Sequence, residues 1–178
     1  MNDNDKPEPK QEPASKSPFW QFSIKFYGVP GVAQACIELQ DQANVDVNVL
    51  FFLLWNATER RALSAGDVTK VEDAIRPWRE ITVVPLRSMR RALKSPPSVM
   101  TPDAAEGFRT RIKSVELEAE RLQQEALYGI ATSTALGRSS PSPDEAAQDS
   151  LSSYQGVIGP FPPGPLQTIL SAFASFKA

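Results

Sequence analysis

The chain has 178 residues, of which 41% are hydrophobic and 22% are charged, and this length is sufficient to bury the core of one ordinary domain. It contains no histidine and one cysteine, which excludes histidine-based catalytic triads, histidine metal sites, disulfide frameworks and cysteine-rich zinc sites. The formal charge of −2 argues against bulk electrostatic binding to nucleic acid or to an anionic membrane.

The hydropathy pattern favours a soluble protein. The longest apolar run, residues 49–55, is far shorter than the roughly 20 residues that span a bilayer. The first residues are polar and do not resemble a secretory signal. We therefore expect a cytoplasmic protein in which the lone Cys36 is a small buried hydrophobe.

Three short helices are predicted in the first part of the chain. A Ser17 cap followed by Pro18 is typical of a helix start. The second helix is predicted to stop at Asn44, a residue that tolerates the left-handed conformation. Asp46 is positioned to cap the third helix, whose apolar residues 49–55 we expect to be buried on all sides as the centre of the core.

Two longer helical regions follow. Ser64 starts a fourth region, in which Pro77 and Pro85 each remove an amide donor and so break or kink the helix at one or both positions. A fifth helix starts at Thr101, and its apolar residues alternate at spacings of four and three, as in a short coiled-coil seam. The seam consists of Phe108, Ile112, Val115, Ala119, Leu122 and Ala126. Because the seam spans fewer than three heptads, we expect it to dock on the fourth region as an antiparallel hairpin rather than to act as a dimerisation coil.

The sequence predicts an all-α fold, a compact bundle of about five helices over residues 18–130. Residues 1–17 are polar and are expected to form a disordered tail. Residues 131–165 are rich in serine and proline and are expected to form a linker with polyproline II character. Residues 166–178 are predicted to form a short amphipathic helix.

The first candidate site is a basic helix face. Residues 75–94 carry six bases and one acid, and at 100° per residue five basic side chains fall within a sector of roughly 80°. They are Arg76, Arg79, Arg87, Arg90 and Lys94. Arginine donates paired hydrogen bonds to phosphate and carboxylate groups, so this face is a candidate for binding an anion or a protein partner. Alternatively, these side chains pair with acids on neighbouring helices, such as Glu38, Asp41, Asp46 and Glu72.

The second candidate is the polar junction between the second and third helices. It contains Glu38, Gln40, Asp41, Asp46 and Asn48. Paired carboxylates can bind Mg²⁺ or act as general acid and base, but the repeated acidic motif of a helical prenyl-transfer enzyme is missing. Glycine-rich nucleotide motifs and a nucleophile elbow are also missing. We therefore expect no cofactor and no metal, and the sequence identifies no catalytic residue.

The third candidate is the apolar stripe of the C-terminal helix. It consists of Leu166, Ile169, Leu170, Phe173 and Phe176. A stripe of this kind fits the groove of a partner protein, the core of its own chain or a second copy.

A further set of residues forms a recognisable pattern along the first half of the chain. Its members are Phe19, Trp20, Tyr27, Pro30, Gly31, Val32, Ala35, Cys36, Leu39, Gln40, Asp41, Asp46, Val47, Asn48, Leu50, Trp55, Trp78, Pro85, Leu86, Arg87, Arg90, Arg91, Leu93 and Lys94. The pattern resembles that of an uncharacterised proteobacterial family of all-α domains of unknown function, which has Gly where this chain has Asn44. The resemblance covers roughly residues 19–94 and weakens towards residue 130. It implies a bacterial cytoplasmic protein and supplies no activity.

Three functions are compatible with these features. The leading hypothesis is a non-catalytic adaptor that binds an acidic patch of a protein partner through Arg87 and Arg90. The alternative is a small enzyme or carrier that binds an anionic, phosphate-bearing ligand in a polar pocket between helices. That pocket would combine Gln40, Asp41, Asp46 and Asn48 with Arg87 and Arg90. RNA binding is the third and least favoured hypothesis, and it predicts an affinity that falls steeply with salt.

Overall fold

The structure, a computed structural model, describes residues 17–176, and the predicted disordered tail therefore lies outside the described residues except for Ser17. Most of the described range is helical, which confirms the all-α prediction. The helices are α1 (Pro18–Tyr27), α2 (Val32–Ala43), α3 (Val47–Thr58), α4 (Ala65–Trp78), α5 (Val84–Ala92), α6 (Pro102–Ser133), α7 (Pro143–Ile158) and α8 (Pro163–Ser175). No helix in this range is both long and apolar enough to cross a membrane.

Helix α3 lies at the centre of the core, as predicted. Val49, Leu50 and every residue from Phe51 to Leu54 are buried, so this helix is covered on all sides. Its Asp46 cap accepts a hydrogen bond from the backbone N–H of Asn48 at 2.9 Å. The predicted stop of α2 is also present, because Asn44 has a left-handed φ of 53°.

The fourth helical region is divided by its prolines. Between α4 and α5 lies a five-residue π-helical segment, Arg79–Val83, in which the Val84 N–H bonds to the Arg79 carbonyl. Pro85 has no N–H to donate to the turn before it, and a local change of hydrogen-bond register accommodates this loss. The extra residue in the turn rotates α5 by roughly 100° relative to α4.

Helix α6 packs on α4, the π segment and α5, which confirms the predicted docking on the fourth region. The prediction that the seam forms this contact is wrong for most of its residues. The buried residues of α6 are Ala105, Glu116, Ala119, Gln123, Gln124 and Leu127, of which Ala119 alone belongs to the seam. Polar contacts determine which face is buried, since the Trp78 indole donates to the carbonyl of Ala119 at 3.0 Å. Most of the predicted seam is exposed as a result.

The prediction of a linker over residues 131–165 is wrong for most of that range, because three helices occupy it. Helix α6 extends to Ser133, and residues 143–158 form α7, which packs on α3 and α4. Ser142 caps α7 by accepting from the Glu145 N–H at 3.1 Å, and Pro143 occupies the first helical turn. Spacings of three and four bury Ala147, Ser150, Leu151 and Tyr154 against the core. The helix count is therefore higher than predicted.

A two-stranded antiparallel sheet helps to hold α7 in place. It joins β1 (Arg61–Ala62) to β2 (Arg138–Ser139) and lies beside the N-terminus of α4. Gly137 precedes β2 with a φ of 73°, and a Cβ at this position would lie 3.0 Å from the Ala62 carbonyl oxygen. Only glycine fits this close approach without strain.

Helix α8 folds back on its own domain. Ile169 and Phe173 are buried, and the remaining members of the predicted stripe are half-buried against the core: Leu166, Leu170 and Phe176. The Phe176 ring lies 5.3 Å from the ring of Phe26, centroid to centroid, in an edge-to-face arrangement. The stripe is therefore occupied within the chain.

Candidate functional site

The five side chains of the predicted basic face occupy different environments. Arg76 lies on the surface and pairs with Asp73 at 2.6 Å. Arg79, at the start of the π segment, is directed into the protein. The rotation of α5 directs Arg87 and Arg90 towards α6, and Lys94 is exposed beyond the end of α5. The five basic side chains therefore do not share one face of a helix, contrary to the prediction from the sequence. The π segment changes their directions, and acids on other helices bind several of them.

Arg79 is the centre of a buried polar network. Its guanidinium contacts Asp46 Oδ2 at 3.0 Å and Glu72 Oε2 at 2.8 Å. The Tyr154 hydroxyl donates to Glu72 Oε1 at 2.7 Å and accepts from the Asp46 N–H at 3.1 Å. Gln123 Nε2 donates to Asp46 Oδ2 at 2.6 Å. Helices α4, α6 and α7, the π segment and the α2–α3 turn thus meet at one hydrogen-bonded cluster.

The pKa values in this network follow from burial and charge. Burial lowers the pKa of Arg79, but the hydrogen bond to Glu72 and the charge of Asp46 outweigh it, and the pKa rises above its ordinary value. Burial and the charge of Glu72 raise the pKa of Tyr154 well above 10. The arginine therefore remains charged and the tyrosine neutral at all ordinary pH values, which is typical of a structural cluster.

A separate cleft of about 530 Å³ lies between α1, α2, α3, α5 and α6. Its apolar lining residues are Trp20, Ile24, Tyr27, Cys36, Ile37, Val47, Phe51 and Leu117. Its polar lining residues are Ser23, Gln40, Asn48, Arg87, Arg90, Arg91, Lys113, Glu116, Glu120 and Gln124. A cleft of this size that combines apolar surface with polar and charged groups is typical of a site for a small ligand.

Two arginines and two glutamates form the charged corner of the cleft. Arg87 Nε contacts Glu116 Oε1 at 3.2 Å, and its terminal nitrogen contacts Glu120 Oε1 at 2.6 Å. Arg90 contacts both oxygens of Glu116, one of them at 3.1 Å. Each arginine retains unused N–H groups, because a guanidinium has five donors. The glutamates hold the two guanidinium planes in fixed orientations.

The cleft keeps an excess of positive charge. Lys113 lines it and makes no ion pair within residues 17–176, whereas Arg91 at the rim pairs with Asp41 at 2.8 Å. Burial raises the pKa of Glu120, and the opposing charge of Arg87 does not fully offset this. The cleft therefore becomes more positive as the pH falls through the pKa of Glu120.

Two side chains of the cleft have buried polar atoms without a hydrogen-bond partner among the described residues. They are Trp20, through its indole N–H, and Gln124, through its Oε1. Gln124 is otherwise fixed, because its amide nitrogen donates to Asn48 Oδ1 at 2.8 Å. Unsatisfied polar atoms in a protein interior are uncommon and often mark a place where a ligand or a water binds.

The predicted polar junction is only partly assembled at the cleft. Gln40 and Asn48 line it, and Asp41 lies at its rim through the pair with Arg91. Asp46 belongs to the Arg79 network, and Glu38 accepts from Gln34 at 2.9 Å. The pocket expected from the sequence is therefore formed in part. Its two amides and two arginines line the cleft, whereas the carboxylates of Asp41 and Asp46 do not.

The acids that hold the arginines were missed by the sequence analysis. Glu116 and Glu120 are one turn apart on α6, opposite Arg87 and Arg90, which are one turn apart on α5. This matched spacing is a weak sequence signal for ion pairs between α5 and α6. The apolar seam is a stronger signal, and it led to a different prediction for the packing face of α6. In residues 17–176 no group of three acidic or cysteine side chains is placed to hold a metal ion.

The comparisons identify a family and no activity. A family model described as a protein of unknown function (DUF2390) matches residues 18–127. The chain belongs to this family. The match confirms the resemblance to an uncharacterised family, and it includes every residue that lines the cleft but neither α7 nor α8. No significant match is found among curated proteins or among solved structures.

The thiol of Cys36 is predicted to be unreactive in the folded protein. Burial raises its pKa from 9.0 to about 12, so the reactive thiolate is about a thousandfold rarer at neutral pH. Reaction with DTNB at pH 8 should therefore be at least a thousandfold slower in the native protein than in urea-unfolded protein. A native rate within tenfold of the unfolded rate would contradict this buried placement. The chain has no other cysteine, so the assay reports on this thiol alone.

Proposed function

We propose that this protein is a non-catalytic binding protein whose cleft takes a small amphipathic anion. The observation that carries the proposal is that Lys113, which makes no ion pair within the described residues, lines the same cleft as Arg87, Arg90 and the aromatic side chains of Trp20 and Phe51. An acid group would bind the ammonium and the unused N–H groups of the guanidiniums. An apolar body would bury itself against the aromatic and aliphatic lining residues.

The charge of the cleft favours a singly charged acid. Arg87, Arg90 and Lys113 supply three positive charges, and Glu116 and Glu120 supply two negative charges when ionised. One monoanion neutralises the remaining charge, whereas a phosphate monoester carries about −1.5 to −2 at pH 7. A carboxylate on an apolar body is therefore the ligand class that fits best.

The adaptor hypothesis has less support from the geometry. Arg87 and Arg90 are half-buried and already bind the glutamates of α6, so an acidic partner would have to compete with Glu116 and Glu120. The C-terminal stripe is occupied by its own core. RNA binding has less support as well, because the basic side chains do not form one continuous surface.

Decanoate is a suitable probe for the proposed ligand class, measured by isothermal titration calorimetry at pH 7. It should bind about tenfold or more tightly than decanol, because a charge-assisted hydrogen bond contributes about 1.5–3 kcal/mol. Acetate, which lacks the apolar body, should not bind measurably. Decyl phosphate should bind more weakly than decanoate.

The matched variants are Lys113→Glu and Lys94→Glu. Both lysines are exposed and have no ion pair within the described range, but only Lys113 lines the cleft. Lys113→Glu should weaken decanoate binding about tenfold, and Lys94→Glu should leave it unchanged. Equal affinities for decanoate and decanol, or equal effects of the two variants, would overturn the proposal.

A further inference from the structure

A row of apolar side chains on α6 has no partner among residues 17–176. Phe108, Val115 and Leu122 are 43%, 53% and 42% exposed, and they recur every seven residues on one side of the helix. The row is about 21 Å long, because 14 residues of α-helix separate its ends. Apolar side chains aligned over this length are typical of an interaction surface.

The row is separate from the cleft. Leu117 lines the cleft, and Val115, two residues earlier, lies about 200° away around the helix axis. The row is instead next to the side of α6 that Trp78 contacts through the Ala119 carbonyl. A partner on the row would therefore leave the ligand cleft accessible.

We propose that two copies of this chain pair through this row, with their α6 helices antiparallel and a two-fold axis at Val115. This register places Phe108 of each copy against Leu122 of the other, and Val115 against its own counterpart. The contact is isologous and closes as a dimer, since the same surface is used by both copies. The seven-residue spacing of the row matches one of the two apolar positions that such a helix pair has in each heptad.

Charge complementarity supports a second copy of this chain as the partner of the row. It also supports an antiparallel arrangement of the two α6 helices. Arg111 makes no ion pair within residues 17–176, and its guanidinium lies 5.6 Å from the centroid of the Phe108 ring. Glu118 is exposed and, within the part of the chain that the structure describes, forms an ion pair only with Arg121 on its own helix. It flanks the row on the same side as Arg111.

The register that places Val115 on the axis also brings opposite charges together. Arg111 lies four residues before Val115 and Glu118 lies three residues after it, so each Arg111 comes level with Glu118 of the other copy. Two equivalent ion pairs form in this way. A parallel two-fold pair would instead place Arg111 of one copy and Glu118 of the other on opposite sides of the row, where they could not form an ion pair.

Sedimentation velocity without added ligand tests this dimer. The average mass should rise from 19.5 kDa towards twice that value as the protein concentration increases from about 1 μM to 1 mM. Val115→Glu should keep the protein monomeric over this range. The matched control is Ile24→Glu, because Ile24 is 54% exposed but lies on α1 at the cleft, and this variant should dimerise normally.

A charge reversal tests the register. Arg111→Glu should weaken the dimer about tenfold, and the double variant with Glu118→Arg should restore it because the reversed charges again face each other. A mass of 19.5 kDa at 1 mM, or a dimer that survives Val115→Glu, would overturn the proposal. All variants change exposed residues, so circular dichroism should show an intact fold. Ligand binding in the cleft does not enter this test.

Discussion

Replacing Arg79 with alanine is expected to lower the free energy of unfolding by about 3–5 kcal/mol. The substitution leaves the carboxylates of Asp46 and Glu72 buried without their positive partner. An unpaired buried charge costs far more than the loss of a surface contact, because water cannot replace the guanidinium. Urea unfolding followed by circular dichroism measures the difference.

Arg76→Ala is the matched control for this prediction. Arg76 lies three residues earlier and pairs with Asp73, but both side chains are about half exposed. Its loss should change the free energy of unfolding by about 0–1 kcal/mol. If the two variants were destabilised to within 1 kcal/mol of each other, the Arg79 network would not be the buried cluster described above.

Replacing Phe173 with alanine is expected to lower the free energy of unfolding by about 3–5 kcal/mol. Phe173 lies on α8 and is buried against the ring of Phe26 at a centroid distance of 6.3 Å. The substitution removes apolar area from the core and leaves a cavity that the surrounding helices cannot fully close. Thermal and urea unfolding should both show the loss, with the transition remaining cooperative.

Ser171→Ala on the same helix is the control for Phe173→Ala. Ser171 is exposed, so its replacement should change stability by no more than about 0.5 kcal/mol. A helix that was only tethered to the domain would tolerate both substitutions equally. Equal unfolding free energies for the two variants would therefore show that α8 does not belong to the core.

Local signals account for most of what the sequence predicted correctly. Ser17 accepts from the Trp20 N–H, Asp46 caps α3, and Thr101 caps α6 by accepting from the Ala104 N–H. Each of these caps depends on residues within one turn, and so each is visible in the sequence. The central position of α3 was predictable because its apolar residues occupy all sides of the helix.

Helix α7 was missed because its local signals conflict. The density of serine and proline around Ser142 and Pro143 is typical of a linker, but the same two residues also cap and start a helix. The helix is stabilised by contacts made at long range, including the Ser150 hydroxyl, which accepts from the Leu63 N–H at 2.9 Å. Such contacts between distant segments are not encoded in local periodicity.

The sequence predicted several residues of the candidate site but not how these residues are arranged. Helical periodicity places Arg79 and Arg87 on one face, and the π segment between them separates their directions. The pairing of Arg79 with Asp46 agrees with the alternative interpretation of the basic face, whereas Arg87 pairs with Glu116. Which acid meets which arginine depends on helix packing, and the sequence alone does not determine it.

A titration of the protein with decanoate followed by ¹H–¹⁵N NMR tests the cleft most directly. The indole N–H of Trp20 belongs to a side chain that lines the cleft and has no partner among the described residues, whereas the indole N–H of Trp78 is bonded to Ala119. We predict that the Trp20 indole signal and the Nε–H signals of Arg87 and Arg90 shift together and saturate, while the Trp78 indole signal stays in place. Unchanged Trp20 and arginine signals at saturating decanoate would contradict the cleft as the binding site.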